Sequence, residues 1–396
     1  MKSIFKKFMA AAIVILIIPT TVTAQEQKKP EVAAQGAILM DAVTGRVLWE
    51  KNAETPLAMA STTKIMTAVL AIESGDLDAL VTVSKRAAAA PRVKMYLSAG
   101  EKISLEGLVY ALMLQSSNDA AVAIAEHIGG SVEDFCAEMT AKAHSLGAVN
   151  TVFETPNGLD AENHQSTAYD MALITRYALN NPTFVDIINT KSFYVSSSTS
   201  SYNINNKNRL LNEYEGAMGV KTGYTGKAGH CFVGAARRGD LQLISVVFAS
   251  GWGSVGKEQK WIDTKRILSF GFDNFENEEV VNRGDFAGRL EITRSRTPDV
   301  GLYYGRSVVM PINRNAQEEV TLVPFFPASL QAPVSANQLV GSGRVYVNGD
   351  FFAEVPIFTD QGADRHDLKT SLEKVLIEFL RLGTNEKLKI YLPDLQ

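Results

Sequence analysis

The stretch MASTTKIMTA, residues 59–68, places Ser61 three residues before Lys64 at the head of an apolar run with helical spacing, Ile65, Met66, Val69, Leu70 and Ile72. At i and i+3 on a helix the two side chains share a face and lie within mutual reach. A serine hydroxyl is a weak nucleophile until a base takes its proton. Lysine titrates at about 10.4 in water, so Lys64 can be that base only where burial or a nearby cation lowers the value. The same S-x-x-K spacing recurs at Ser3/Lys6, Ser254/Lys257 and Ser371/Lys374, so spacing alone selects nothing. Taken singly, Ser61 reads as a helix N-cap and Lys64 as a solvated charge.

Chain order does the selecting. S-x-N occurs at Ser116-Ser117-Asn118, at Ser201/Asn203 and at Ser335/Asn337, and K-T-G occurs once, at Lys221-Thr222-Gly223. Ser3 falls in an export signal, Ser254 and Ser371 follow K-T-G, Ser201 lies in a polar stretch and Ser335 in a later β-rich region. One ordered set remains, and its chemistry is coherent. Lys221 on a facing strand can supply the positive charge that would depress Lys64. Ser116 can pass a proton to a leaving amine, and Asn118 can hydrogen-bond a substrate amide. The backbone N–H groups of Ser61 and Tyr224 can hold an oxyanion. Gly223, without a side chain, lets the strand edge lie flat along an extended peptide.

The rest of the chain sets the context. It has 396 residues, 46% hydrophobic and 21% charged, a globular composition with length for two domains. A formal charge of −4 and the lack of a basic stripe give no argument for nucleic acid. Residues 1–24 carry Lys2, Lys6 and Lys7, then the apolar run Met9 to Ile18, then Val22-Thr23-Ala24. That is the form of a cleaved secretory signal, and the run is short for a spanning helix. Two cysteines make no disulfide framework; Cys136 and Cys231 lie in apolar runs, which favours buried free thiols, with a single bridge between them left open in an exported chain. The five histidines show no close ligand spacing, so no metal or other cofactor is expected.

Along the chain, GAILMDAVTGRVLWEKN reads as two strands about Thr44-Gly45, followed by helices, with caps at Ser131 and at Thr167. Residues 195–208, rich in Ser and Asn, read as a solvated loop. CFVGAARRGDLQLISVVFAS gives two more strands about Gly239-Asp240, and KWIDTKRILSFGF a last helix. Strands at both ends with helices between predict an antiparallel sheet, closed by first and last strands and flanked by helices. The expected units are residues 30–275, a small β-rich C-terminal domain at 280–362, and an amphipathic helix at 366–382. Leu368, Leu372, Val375, Leu376, Phe379 and Leu380 form that helix's apolar face. It is open to packing on the β-rich domain or to lying in a membrane interface.

The ordered set resembles the signature of penicillin-recognising serine enzymes, S-x-x-K, S-x-N and K-T-G. The wider segments PLAMASTTKIMTA, MLQSSNDAAVAIAEHIGG, FETPNGLDAENHQSTAYDMA and MGVKTGYTGKAGHCFVGAARRG are similar to low-molecular-mass D-alanyl-D-alanine carboxypeptidases. The resemblance implies an α/β (α+β) penicillin-binding, β-lactamase-like transpeptidase domain and a small β-rich C-terminal domain. It implies peptidoglycan stem peptides as substrate, β-lactams as inhibitors and a C-terminal helix on the membrane surface. Carried over by position, Ser61 is the acylated nucleophile, Lys64 its base, and Ser116 and Asn118 serve proton transfer and amide contact. Lys221 and Thr222 meet the substrate's terminal carboxylate region, with Gly223 in the strand beside them, and Tyr224 gives a backbone N–H. One departure stands out: Lys260-Trp261 occupies the place where many relatives have Arg-Phe.

Three other readings compete. A β-lactamase of the commonest serine kind adds a deacylating glutamate in E-x-x-L-N, and Glu154 in FETPNGL lacks that setting. A Ser-His-Asp hydrolase needs G-x-S-x-G, and WGSVG around Ser254 has Trp252 at the first position. A non-catalytic peptidoglycan-binding protein has no need of the complete reactive set.

Overall fold

The computed structural model describes residues 29–366 apart from 317, together with residue 372 and residues 375–380. The expected signal, residues 1–24, and part of the expected helix at 366–382 lie outside the described residues.

Strand β1 (Gly36–Asp41) is buried at every position. Its Ile38 and Met40 enter one core, whereas Ala37 and Leu39 enter a second on the opposite face. A strand covered on both faces does not alternate apolar with polar, which accounts for the run Ala-Ile-Leu-Met. The chain turns at Thr44-Gly45, where the Asp41 carboxylate accepts from the Thr44 N–H at 2.7 Å, and returns as β2 (Val47–Lys51). After the helical middle come β3 (Ala217–Thr225), β4 (Gly229–Arg238) and β5 (Leu241–Phe248). The sheet order is β2-β1-β5-β4-β3, antiparallel throughout, with Gly36 opposite Phe248. First and last strands therefore close the sheet, as the sequence predicts.

One face carries α1 (Lys64–Glu73), α2 (Asn118–Gly129), α3 (Val132–Ser145) and α4 (Ala168–Leu179). Two of their starts follow capping rules: Ser131 accepts from the Asp134 N–H at 3.0 Å and Thr167 from the Asp170 N–H at 2.9 Å. The other face is covered by α5 (Gly253–Asn274), whose Trp261 packs on Phe232 with ring centroids 4.7 Å apart. Cys136 and Cys231 are buried and free.

The solvated loop expected at 195–208 is instead mostly a hairpin, Ser192–Ser196 paired with Ser201–Asn205. Val195 and Ile204 are buried, and Phe193 stacks on Tyr110 at 3.7 Å. Few apolar residues at alternate positions suffice to seat a hairpin, although serine and asparagine dominate its composition.

Beyond α5 the chain forms β6 (Phe275–Val281), β7 (Phe286–Thr293), β8 (Asp299–Tyr304), β9 (Val308–Asn313), β10 (Val320–Phe325), β11 (Ser329–Gln331), β12 (Leu339–Val347) and β13 (Asp350–Thr359). β6 pairs with β9, and the others form one sheet ordered β10-β12-β13-β8-β7-β11 around Leu290, Val300, Leu302, Val345, Val355 and Ile357. Arg46, from the β1–β2 turn, donates to the Pro311 carbonyl and pairs with Glu318, tying this region to the first sheet.

Candidate active site

Ser61 sits in a tight turn, Ala60–Thr63, and Lys64 is the first residue of α1. The Ser61 hydroxyl caps no helix. Its neighbours are Lys64 Nζ at 3.0 Å and the Asn157 carbonyl at 3.3 Å. Lys64 is fully buried, with Nζ also 2.8 Å from Asn118 Oδ1 and 2.5 Å from the Asn157 carbonyl. A neutral amine has two N–H donors and one lone pair. Two carbonyl oxygens occupy the donors, which leaves the lone pair for the Ser61 hydroxyl proton.

Electrostatics favour that neutral amine. Burial pushes Lys64 well below the usual lysine range, Lys221 pushes it further, and Asp119 opposes them. Lys221, at the centre of β3, is itself lowered to about 7 by burial and then by Lys207. Once Lys64 has lost its proton, it no longer repels Lys221.

Backbone geometry presents the Ser61 hydroxyl. Ala60 has φ +48°, a left-handed conformation that costs a non-glycine residue about 1–2 kcal/mol. Two glycines press on the turn from opposite elements. A Cβ on Gly158 would lie 1.9 Å from the Ala60 carbonyl oxygen, and one on Gly223 would lie 3.0 Å from the Ser61 nitrogen. The K-T-G strand thus runs directly against the turn that carries Ser61. Because Gly158 also has φ +82°, Gly158→Ala combines backbone strain with collision. We expect at least about 2 kcal/mol loss of stability in urea unfolding, from left-handed strain and overpacking together. Slower acylation of Ser61 should accompany it, and an unchanged unfolding midpoint would show that the turn has room to spare.

The second motif follows a break in the helix. Residues Leu105–Tyr110 are α-helical, Ala111–Gln115 form a wider turn, and Ser116 adopts φ +67° before α2 begins. Asn118, the first residue of α2, holds Lys64 through Oδ1. Its amide also donates to the Pro91 and Arg92 carbonyls, at 3.1 Å each. A substrate amide contact at Asn118 therefore requires one of those bonds to be exchanged. Lys221 is buried and donates to the Thr222 carbonyl at 3.0 Å; Thr222 is half-buried and Tyr224 exposed. Lys260 donates to the Lys257 carbonyl at 2.6 Å and lies over the Trp261 ring.

Two contributors were outside the sequence reading. The Asn157 carbonyl is a backbone atom, and only Gly158 beside it hints at a close approach. Asp119 directly follows the S-x-N asparagine. Its carboxylate accepts from the N–H groups of Met95, Tyr96 and Leu97 at 3.0, 2.9 and 3.1 Å, which pins the loop against the site.

Comparison with known proteins agrees with this architecture. The family described as D-alanyl-D-alanine carboxypeptidase matches residues 22–251, and the penicillin-binding protein 5 C-terminal domain matches residues 275–365. D-alanyl-D-alanine carboxypeptidase DacF of Bacillus subtilis is 30% identical over 95% of this chain and 98% of its own length. DacC of Escherichia coli is 32% identical over 89% of this chain and 90% of its own. The crystal structure of penicillin binding protein 5 from Haemophilus influenzae superposes with TM-score 0.71 at 28% identity, covering 85% of this chain and 99% of that one. A Streptomyces K15 DD-transpeptidase structure covers 62% of this chain and all of its own, with TM-score 0.59 at 34% identity. With the family match spanning more than half of its residues and such relatives spanning nearly its whole length, this chain belongs to the D-alanyl-D-alanine carboxypeptidase family of serine peptidases.

Proposed function

We propose that Ser61 attacks the last D-Ala–D-Ala bond of peptidoglycan stem peptides, releases D-alanine and passes through an acyl-enzyme. The observation that carries this reading is the Lys64 amine, buried, held by two carbonyl oxygens and 3.0 Å from Ser61 Oγ. Lys64 takes the hydroxyl proton as Ser61 Oγ bonds to the carbonyl carbon of the penultimate D-alanine. The tetrahedral oxyanion sits between the Ser61 and Tyr224 N–H groups. The peptide C–N bond breaks as Ser116 relays a proton to the leaving D-alanine nitrogen. Lys221 and Thr222 hold the terminal carboxylate, and water then cleaves the ester by the same base. Glu154, which lacks the E-x-x-L-N setting of a β-lactamase deacylating acid, is exposed and accepts from Asn163 N and Nδ2 at 2.8 and 3.1 Å. That supports a long-lived penicilloyl ester. The test is incubation with a peptide ending in D-Ala-D-Ala and, separately, with benzylpenicillin. Free D-alanine and a stable Ser61 adduct by mass spectrometry are expected, and rapid penicillin turnover would favour a β-lactamase.

The same reading assigns residues 1–24 to export, 30–275 to the peptidase unit, 280–362 to the β-rich unit and 366–382 to a membrane-surface helix. Among the described residues no helix is long and apolar enough to cross a membrane. Leu372, Val375, Leu376 and Phe379 are all well exposed, Phe379 to 73%, which favours a lipid surface over packing on the β-rich unit. Flotation with lipid vesicles should recover the full chain and lose it on truncation after residue 366. Binding should persist in high salt, because Lys369, Lys374 and Arg381 nearly balance Glu373 and Glu378. Equal recovery of the truncated chain would place the lipid contact elsewhere.

A further inference from the structure

We infer that His164 and Thr63 form a positioning relay that aims and polarises the Ala60–Ser61 peptide group, whose N–H is one donor of the oxyanion hole. The inference rests on the acyl-enzyme reading of Ser61.

Each link is a direct contact. The Glu154 backbone N–H donates to His164 Nδ1 at 3.0 Å. With Nδ1 an acceptor, the ring proton is on Nε2, which lies 2.8 Å from Thr63 Oγ1. Nε2–H therefore donates to the threonine oxygen, and the hydroxyl proton goes to the Ala60 carbonyl at 2.8 Å. Every donor in the chain points the same way, ending at the carbonyl of the peptide that supplies the Ser61 N–H.

A peptide group is planar, with C=O and N–H on opposite edges. Holding the Ala60 oxygen therefore fixes where the Ser61 N–H points. A hydrogen bond to the carbonyl also polarises the amide and makes its N–H a better donor to a developing oxyanion. The site needs such a clamp because Ala60 lies in the left-handed region, from which a non-glycine residue relaxes unless it is held. Thr62 does the parallel work one residue earlier, donating to the Met59 carbonyl at 2.6 Å.

His164 suits this role because it stays neutral. The ring is 3% exposed, with Phe153 edge-on to it. Burial lowers its pKa to about 4, with Lys227 and Lys64 adding to burial, while Glu154 and Asp160 pull the other way. At neutral pH, Nδ1 keeps its lone pair for the Glu154 N–H. Protonation would set two donors against each other.

The test separates binding from chemistry. Full-length protein is mixed with a fluorescent penicillin in stopped flow, giving the dissociation constant of the first complex and the acylation rate constant. Thr63→Val, which keeps the shape and removes the hydroxyl, should slow acylation about tenfold, less than the roughly 10²–10³-fold of deleting an oxyanion donor. Its dissociation constant should move less than about twofold, because ground-state binding makes little use of this donor. Thr63→Ser should recover most of the rate. His164→Gln places an amide near the Nε2 position and should lose less than His164→Asn, which reaches only the Nδ1 position. Thr63→Val with His164→Asn should be no slower than the slower single variant. Thr63→Val folded and acylating at the wild-type rate would overturn the relay, as would Asn and Gln variants of His164 with equal rates. If Thr63→Val fails to fold, the His164 pair decides. Wild-type protein that forms no adduct would remove the acyl-enzyme reading itself.

Discussion

Ser61→Ala should leave no protein labelled by a fluorescent penicillin and should lower D-alanine release by at least about 10⁴-fold. Removing a serine nucleophile from a comparable acyl-transfer site costs about 10⁶-fold, and the residual rate belongs to binding and the oxyanion donors. The fold should tolerate the change, because among the described residues Ser61 Oγ bonds only to Lys64 and, at a long 3.3 Å, to the Asn157 carbonyl. Lys64 keeps both carbonyl partners without it. Unfolding in urea should therefore shift by no more than about 1 kcal/mol, the worth of one hydrogen bond. An alanine variant that is labelled as strongly as wild type would move the nucleophile elsewhere, with Ser116 the first place to look.

Lys64→Met should be nearly as inactive, slower by about 10³–10⁴-fold in acylation, since the general base is gone. It should also be the more stable protein at neutral pH. The fold lowers the Lys64 pKa, so between that value and about 10.4 the unfolded chain carries a proton that the folded chain lacks. Where the unfolded state binds more protons, stability rises with pH, and Lys64 thus contributes a penalty that is relieved across this window. Methionine fills the same space with nothing to desolvate. Urea unfolding at pH 7 and at pH 9.5 should give a smaller difference for Lys64→Met than for wild type. What remains belongs largely to Lys221, which is lowered to about 7 and carries the same sign. Wild-type acylation should rise with pH as Lys64 loses its proton. It should fall above about 7 if the Lys221 charge holds the substrate carboxylate. A methionine variant less stable at pH 7, with an unchanged pH slope, would mean that Lys64 is charged in the fold.

Much of this was written where periodicity and spacing can be read. The buried run of β1, the Thr44-Gly45 turn, the caps at Ser131 and Thr167 and the order of the three motifs all rest on local chemistry. The sheet closed by first and last strands follows from the same pattern. What escaped was backbone. A carbonyl such as that of Asn157 has no residue signature, and the left-handed turns at Ala60 and Ser116 occupy residues that ordinarily avoid them. The hairpin at Ser192–Asn205 was hidden by its composition, since four apolar side chains, Phe193, Val195, Tyr202 and Ile204, set its register. His164 looked inert for a related reason: its work is done through Thr63 and a peptide group.

The pairing of Gly36 with Phe248 also bears on when the chain becomes reactive. A polypeptide emerging N-terminus first presents Ser61 and Lys64 long before β3, β4 and β5 exist. Until then Lys64 lies in water, protonated, with no Lys221 beside it, and Ser61 is an ordinary alcohol. Contacts so distant in sequence carry a high loop-closure entropy and form slowly. On the acyl-enzyme reading proposed for Ser61, the nascent chain is thus its own zymogen: completion of the sheet brings Lys221 beside a buried Lys64 and so supplies the environment that activates the serine.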